Sequence, residues 1–423
     1  MKIIIVGGGF AGLKLARSLN NKPEFSIMLI DRFNYHQFQP LFYQVATAAL
    51  DPSNISFPLR KAFHKSKNVR FRVAELKSID IQSQKIETDI GSMEYDILVL
   101  ANGADTNFFG NANLIKLAFP MKSTVEALQL KNRLIQNYED ALIAKSSEER
   151  QNLMNIVVVG GGPTGVEVSG ALAEMRHYVL PADYPELDFS QMKIYLLEGS
   201  PRTLGAMSEA SSRQSRAYLE RLGVVVRTET VVSDYDGTNV FLKSGEKIPS
   251  STLIWAAGIK GNVPAGIDPS LVAKGNRIKV DRFHRVEGMN NIYAIGDVSV
   301  METPLYPHGH PQLANVAISE GSHLAANLRL ESKGRTPTEY EYHDKGSLAT
   351  VGRHLAVADF PRPKIHLAGL LAWYVWMSVH LLLILGVKNR LQVFINWIYK
   401  YFTYDQSLRL LFRVFNRPRA RQE

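Results

Sequence analysis

The chain is 423 residues long, 45% hydrophobic and 21% charged, which is room for two or three ordinary globular domains. It contains no cysteine, which excludes a structural disulfide, an iron–sulfur cluster, a thiolate zinc site and a redox-active cysteine pair. The net charge of +9 is concentrated late: residues 388–423 carry eight basic side chains against Asp405 and Glu423. That pattern argues against a nucleic-acid-binding body and for local electrostatic attachment.

In chain order, the first element is the apolar run Ile3-Ile4-Ile5-Val6, read as a buried parallel strand. It is too short for a signal-peptide apolar region, so the body is expected to stay in the cytoplasm. Gly7-Gly8-Gly9-Phe10-Ala11-Gly12 follows, then a helix from near Ala11 and a strand over 26–30. Asp31 closes that strand, where a carboxylate can accept from a ribose hydroxyl. Residues 95–101 form another buried strand running into a turn at Asn102-Gly103, and 121–150 read as helix and polar linker.

The pattern then repeats. Ile156-Val157-Val158-Val159 precedes Gly160-Gly161-Gly162-Pro163-Thr164-Gly165, and a strand over 192–197 ends in Glu198. Glu198 lies farther from its turn than usual, and breaker-rich residues 179–185 account for the excess. A late strand over 291–297 and a helix over about 312–330 return the chain to its first domain. Short strands are predicted over 338–360.

In each glycine turn the first glycine permits the bend, the second lets backbone approach a pyrophosphate, and the third lets helix pack on strand. The phosphates sit on unpaired N–H groups at the positive end of the helix. Two such turns imply two dinucleotides, a flavin that stays and a nicotinamide that visits. Without cysteine, the electrons must leave for something other than a protein thiol. Glu198 favours NADH over NADPH, because a carboxylate accepts from the ribose hydroxyls and repels a 2′-phosphate. Arg202, four residues on, softens that discrimination. Glu167 lies in the first turns of the second helix, where an acid interacts favourably with the dipole.

Over essentially its whole length the chain resembles the type II NADH dehydrogenases. These are single-subunit, non-pumping NADH:quinone oxidoreductases of the two-dinucleotide-binding-domain flavoprotein superfamily. The generic motifs are the two glycine turns, Ile254-Trp255-Ala256-Ala257-Gly258 and Ala294-Ile295-Gly296-Asp297. More specific are His36-Gln37-Phe38-Gln39-Pro40-Leu41-Phe42-Tyr43-Gln44-Val45-Ala46-Thr47, Gly162-Pro163-Thr164-Gly165-Val166-Glu167 and the aromatic, basic C-terminal region.

The resemblance implies an α/β fold of two Rossmann-like dinucleotide-binding domains, glutathione-reductase-like, one inserted in the other, plus a C-terminal membrane-associating helical region. The expected boundaries are 1–120 with 276–335 for the FAD domain, 121–275 for the NADH domain and 336–423 for anchoring and dimerisation. FAD would be held by Gly7, Gly9, Phe10, Ala11, Gly12, Asp31, Arg32, Gln44, Thr47, Leu76, Ala101, Asn102, Gly103, Gly296, Asp297, Leu313 and Ala314. Asn102 stands where the family usually has Thr. NADH would be held by Gly160, Gly162, Pro163, Thr164, Gly165, Glu198, Ala257 and Gly258. The helix from Gln312 would aim its N-terminus at the flavin pyrimidine edge and stabilise the anionic reduced form.

Glu167 would sit by the flavin and nicotinamide near the quinone path, as the catalytic residue that positions the nicotinamide and relays protons. Asn315 and Ser319 replace the family's two usual glutamines and keep a hydrogen-bond donor for a quinone at altered reach. No metal is expected, since His308-Gly309-His310 has no partner acid at a persuasive spacing and reads as a loop over the flavin.

Residues 365–387 lack Asp, Glu, Lys and Arg. They allow a monotopic anchor, a transmembrane helix, or a buried core or dimer-interface helix. Two amphipathic stretches follow, Leu391, Phe394, Ile395, Ile398 and then Leu408, Leu411, Phe412, Phe415. The partners implied are a membrane quinone (menaquinone or ubiquinone), the cytoplasmic face of the plasma membrane and a second copy in a homodimer, with no nucleic acid. The alternatives are a soluble NAD(P)H-dependent reductase of ferredoxin or rubredoxin, and a membrane-attached NADH-binding scaffold.

Overall fold

The computed structural model describes residues 1–406 and 408–412. Five helices position the candidate site: α1 (Phe10–Ser18), α2 (Pro163–Tyr178), α3 (Ala314–Glu331), α4 (Leu370–Leu383) and α5 (Val387–Thr403). The chain divides into two compact units.

The first unit comprises Met1–Gln37, Ser56–Asn107 and Gly258–Lys345. Its centre is a five-stranded sheet in the order Ile292–Ala294, Ile97–Leu100, Lys2–Val6, Ser26–Asp31, Val69–Val73. Every pairing in it is parallel. Parallel strands are covered on both faces, which explains the unbroken apolar runs: Ile3, Ile4 and Ile5 are fully buried. Helices α1 and α3 pack directly on each other, and Gly321 allows it. A Cβ there would stand 2.5 Å from the Ala11 carbonyl oxygen.

The second unit comprises Phe38–Ile55, Phe108–Ala257 and Gly346–Glu423. It repeats the plan, with a parallel sheet in the order Phe119–Pro120, Thr252–Trp255, Ile156–Val159, Ile194–Leu197, Val224–Arg227. An antiparallel sheet, Ser347–Gly352, Leu355–Pro361 and Lys364–Ala368, carries α4 on one side. On α2, Gly170 faces the Val351 carbonyl so closely that any Cβ would overlap it. That contact brings the Thr350–Arg353 turn against the helix that bears Glu167.

The uncharged run 365–387 is not one helix. It begins in a strand, turns at Gly369 (φ +71°), forms α4, and breaks at Gly386 (φ +85°) before α5. Two left-handed glycines interrupt what hydropathy reads as continuous. Among the described residues no helix is long and apolar enough to cross a membrane, so the transmembrane reading is withdrawn. A fully buried core helix is also excluded, because α4 buries only Ala372, Trp376 and His380. The first amphipathic stretch is helical, but its apolar positions face outward: Leu391, Phe394, Ile395 and Ile398 are exposed, while Val393 and Trp397 are buried. The second is not helical where described, over 408–412. Residues 407 and 413–423, with Phe415 and the late arginines, lie outside the described residues.

Candidate active site

In the first unit the glycine turn follows the central strand. Gly7 takes φ +107°, and its N–H donates to the Ile30 carbonyl (2.8 Å). A Cβ on Gly7 would strike the Ala101 carbonyl, and one on Gly12 the Gly7 carbonyl, so both positions require glycine. Gly9, the residue before α1, offers no side-chain cap. A Cβ there would meet nothing within 4 Å. The leading N–H groups of α1 are thus presented to an anion.

Asp31 does more than end its strand. One carboxylate oxygen accepts from the Gly8 N–H (2.6 Å) and the other from the Phe33 N–H (2.7 Å). Burial raises its pKa, and those backbone bonds pull the other way. His36, also buried, has Nδ1 3.0 Å from the Gly8 carbonyl. Desolvation holds its pKa down to about 4, so the neutral ring donates. Arg32 lies over the Phe33 ring, and Leu76 opens the strand Leu76–Asp80. Asn102 donates to the Asn262 carbonyl and accepts in return from the Asn262 amide (3.1 Å) on its own carbonyl, next to Gly103 at φ +67°.

Farther along, Gly296 takes φ +75°, and its N–H donates to the buried Glu320 carboxylate (2.6 Å). The Asp297 carbonyl accepts from the Gln312 amide (2.8 Å). Leu313 precedes Ala314 at the start of α3 without a side-chain cap or an acid in the first turn, which leaves a positive helix end. Asn315 is half-buried, and Ser319 lies beside the Tyr340 hydroxyl. His310 turns inward against Tyr306, Tyr340 and Tyr342. Among the described residues no group of His, Asp and Glu is arranged to hold a metal ion.

The second unit builds its turn the same way. Gly160 takes φ +109°, and its N–H donates to the Leu197 carbonyl (2.8 Å). A Cβ there would lie 2.6 Å from the Ala256 carbonyl. Gly162, like Gly9, is open and uncapped, and Pro163 starts α2, where a missing N–H costs nothing. Pro163 and Thr164 are exposed, Gly165 is buried and Ala257 half-buried. Gly258 (φ +86°) opens the return segment of the first unit. Glu198 accepts from the Gly161 N–H (2.5 Å) and the Ser200 N–H (2.7 Å). Both strand-end acids therefore grip the middle glycine of their own turn, a link that spacing alone did not reveal. Arg202 donates to the Gly205 carbonyl (2.9 Å).

A cleft of roughly 600 Å³ open to solvent lies wholly within the second unit. Its wall includes Tyr43, Gln44, Glu167, Glu174, Thr350, Arg353, Trp373, Trp376, Trp397, Lys400, Tyr401 and Tyr404. Glu167 is buried on α2, accepting a long bond from the Thr350 N–H (3.4 Å) with the Trp376 indole beside it. Desolvation pushes its pKa up to about 8, against weaker lowering by those two contacts. It is therefore a protonated acid at neutral pH. Burial raises the pKa of the Tyr43 phenol well above its usual value, so it stays protonated as well.

Gln44 bridges its neighbours, donating to the Tyr43 hydroxyl (2.8 Å) and accepting from the Trp397 indole (2.8 Å). Thr47 is fully buried and donates to the Tyr43 carbonyl (2.9 Å). The Arg353 guanidinium lies over the Tyr401 and Tyr404 rings, 4.3 and 4.2 Å from their centroids. Sequence reasoning found Glu167 but missed Glu174, Arg353, Trp376 and Lys400. Only Glu174 carried a signal, being seven residues, or two turns, beyond Glu167 on one helix face.

Residues 1–321 match the pyridine nucleotide-disulphide oxidoreductase family, and residues 344–404 match the NDH2 C-terminal domain. The chain is 31% identical over 415 residues to the type II NADH:quinone oxidoreductase Ndh of Mycobacterium tuberculosis, covering 94% of this chain and 87% of that protein. It is 30% identical over 365 residues to the type II NADH:quinone oxidoreductase of Staphylococcus aureus, covering 84% and 88%. In fold it is similar to NDH2 from Plasmodium falciparum solved with NADH (TM-score 0.87, 23% identity, 97% and 99% covered). It is also similar to the sulfide:quinone oxidoreductase of Aquifex aeolicus (TM-score 0.72, 20% identity, 95% of each chain). The paired glycine turns, the match along both family regions and the near-complete coverage of these relatives agree: the chain belongs to the type II NADH:quinone oxidoreductase family.

Proposed function

We propose that this chain oxidises NADH at a bound FAD and reduces a membrane quinone to its quinol, without pumping protons. The observation that carries the reading is the duplicated turn, each copy uncapped at its helix and gripped by its own acid, in a chain that also holds a buried acid in an aromatic cleft. FAD, when bound, accepts the hydride and passes on the electron pair. The first unit's residues fit it: open glycines before α1, Asp31 for the adenosine ribose, the Ala101–Gly103 turn, Asp297, and the positive end of α3 for a reduced flavin's charge. The second turn takes NADH, with Glu198 at its ribose. The cleft takes the quinone head group, and Glu167 donates a proton to it. Asn315 and Ser319 lie in the first unit and are not on the cleft wall.

The protein lies on the cytoplasmic face of the plasma membrane as a homodimer, with menaquinone or ubiquinone as acceptor. What supports the membrane is the outward apolar face of α5, and this also favours a quinone over a ferredoxin-type acceptor. The test is steady-state oxidation of NADH by the purified flavoprotein in detergent with a quinone analogue. Quinone-dependent turnover is expected; NADH binding without it would overturn the reading, and reduction of a ferredoxin-type acceptor would then separate the soluble reductase from the scaffold.

Cofactor choice gives a second expectation. Glu198→Gln keeps an acceptor for the Gly161 N–H but removes the charge. The ratio of kcat/KM for NADH over NADPH should fall by about tenfold or more, the worth of a charged hydrogen bond. An unchanged ratio in steady-state assays would take the selector role from Glu198.

A further inference from the structure

The cleft holds a second buried acid that the reaction as written leaves idle. Glu174 lies on α2 two turns beyond Glu167, about 10 Å along the axis at 1.5 Å per residue, and both line one cleft. It is 6% exposed. One carboxylate oxygen accepts the Arg353 backbone N–H, and the other meets Lys400 Nζ at 3.3 Å. The Lys400 side chain is 23% exposed, so this end of the cleft wall reaches solvent. The charged and titratable groups described around the two acids include Lys400, Arg353, Tyr43, Tyr401 and Tyr404, with His354 near enough to Glu174 to feel its charge.

Reducing a quinone to a quinol takes up two electrons and two protons. NADH supplies both electrons and one hydrogen nucleus as hydride, so the second proton comes from solvent. In balance, NADH, H⁺ and quinone give NAD⁺ and quinol. A buried Glu167 that spends its proton must recover it before the next turnover. Among the described residues its carboxyl meets the Thr350 N–H and lies beside the Trp376 indole, neither of which leads to solvent protons.

We propose that Glu174 is the relay between solvent and Glu167. Glu167 gives its proton to a quinone oxygen, forming the O–H bond. Glu174 returns a proton to Glu167 through water in the cleft, and is itself recharged from solvent at the Lys400 end. This rests on the reading of the cleft as the quinone site.

The test uses the FAD-loaded full chain in detergent and follows its two half-reactions by stopped flow. Glu174→Gln keeps an acceptor for the Arg353 N–H but replaces the oxygen that meets Lys400 with an amide NH2, so ferricyanide turnover is the check that the α2–α5 packing survives. Reduction by NADH should be unchanged. Reoxidation by a water-soluble quinone should slow by about tenfold or more, at the lower end of proton-transfer effects, with a larger solvent isotope effect. Reoxidation by ferricyanide, which takes electrons without protons, should keep its rate, and Glu174→Asp should restore part of the quinone rate. Equal slowing with quinone and ferricyanide, or no slowing with quinone, would overturn the relay.

Ala171 on α2 also lines the cleft, and Ala171→Leu and Ala171→Trp narrow it in two steps and test the site itself, with ferricyanide turnover reporting a folded flavoprotein. Quinone turnover that survives both would remove the quinone from the cleft. Turnover lost there but untouched in Glu174→Gln would overturn the relay alone.

Discussion

Glu167→Gln is expected to slow quinone-dependent NADH turnover by about 100-fold at neutral pH, the lower bound for losing a positioned general acid. Reduction of the bound flavin by NADH should change far less. Glutamine fills the same volume and keeps an acceptor for the Thr350 N–H, so the fold has no reason to fail. What it cannot do is give up a proton. In the unsubstituted enzyme the quinone step should fall as pH rises through about 8, where the buried carboxyl ionises, and Glu167→Gln should lose that alkaline limb.

Stability follows the same sign. Glu167 holds its proton in the folded chain up to about pH 8, whereas an unburied carboxyl releases it near 4.5. The folded state therefore binds more protons across that window, and stability falls as pH rises through it. In Glu167→Gln that slope should flatten in denaturant titrations at pH 5 and pH 8. A variant that keeps both full quinone turnover and the alkaline limb would remove Glu167 from the chemistry.

The glycine turns were legible because sterics leave no alternative: at Gly7, Gly12, Gly160 and Gly165 a side chain would enter a carbonyl or sit against one. The strand-end acid Asp31 was legible from spacing, and Glu198 from its place at the end of its strand despite a longer spacing. Their hold on Gly8 and Gly161 was not, because it joins residues 23 and 37 positions apart. The cleft was least legible. Tyr43, Glu167, Thr350, Trp376 and Trp397 come from five stretches of chain, brought to one wall by contacts such as the packing of Gly170 on Val351, the break at Gly386 and the Gln44–Trp397 hydrogen bond. The same break misled the hydropathy of 365–387, since a window average does not register a left-handed glycine.

Phe394→Glu combined with Ile395→Glu is expected to weaken binding to anionic lipid vesicles by about 100-fold or more while leaving ferricyanide turnover intact. A helix on a water-soluble protein turns its apolar stripe to the core. Helix α5 does the reverse: Ile395 is 61% and Phe402 74% exposed, with Leu391, Phe394 and Ile398 beside them, while Val393 and Trp397 point inward. On α4, Leu371 and Leu382 add to the exposed apolar surface. Each large apolar side chain buried in the acyl boundary contributes roughly 1.5–3 kcal/mol, so losing two removes about 3–6 kcal/mol, which is 100-fold at the least. Lys388 adds charge attraction of about 1 kcal/mol near an anionic surface. Arg390 is instead engaged in capping α4, donating to the Leu382 and Ile384 carbonyls (2.8 and 2.7 Å). Raised salt should therefore loosen the wild-type chain only partly, because the apolar share is insensitive to screening. Vesicle co-sedimentation at two salt concentrations separates the shares, and a double variant that still sediments fully would move the membrane contact off α5. That helix supplies Trp397, Lys400 and Tyr401 to the cleft, and Tyr404 just past its end joins them. With the outer face of α5 in lipid as proposed, the cleft lies one helix thickness away, about 10 Å. A quinone leaving the acyl boundary would therefore cross little water to reach Glu167.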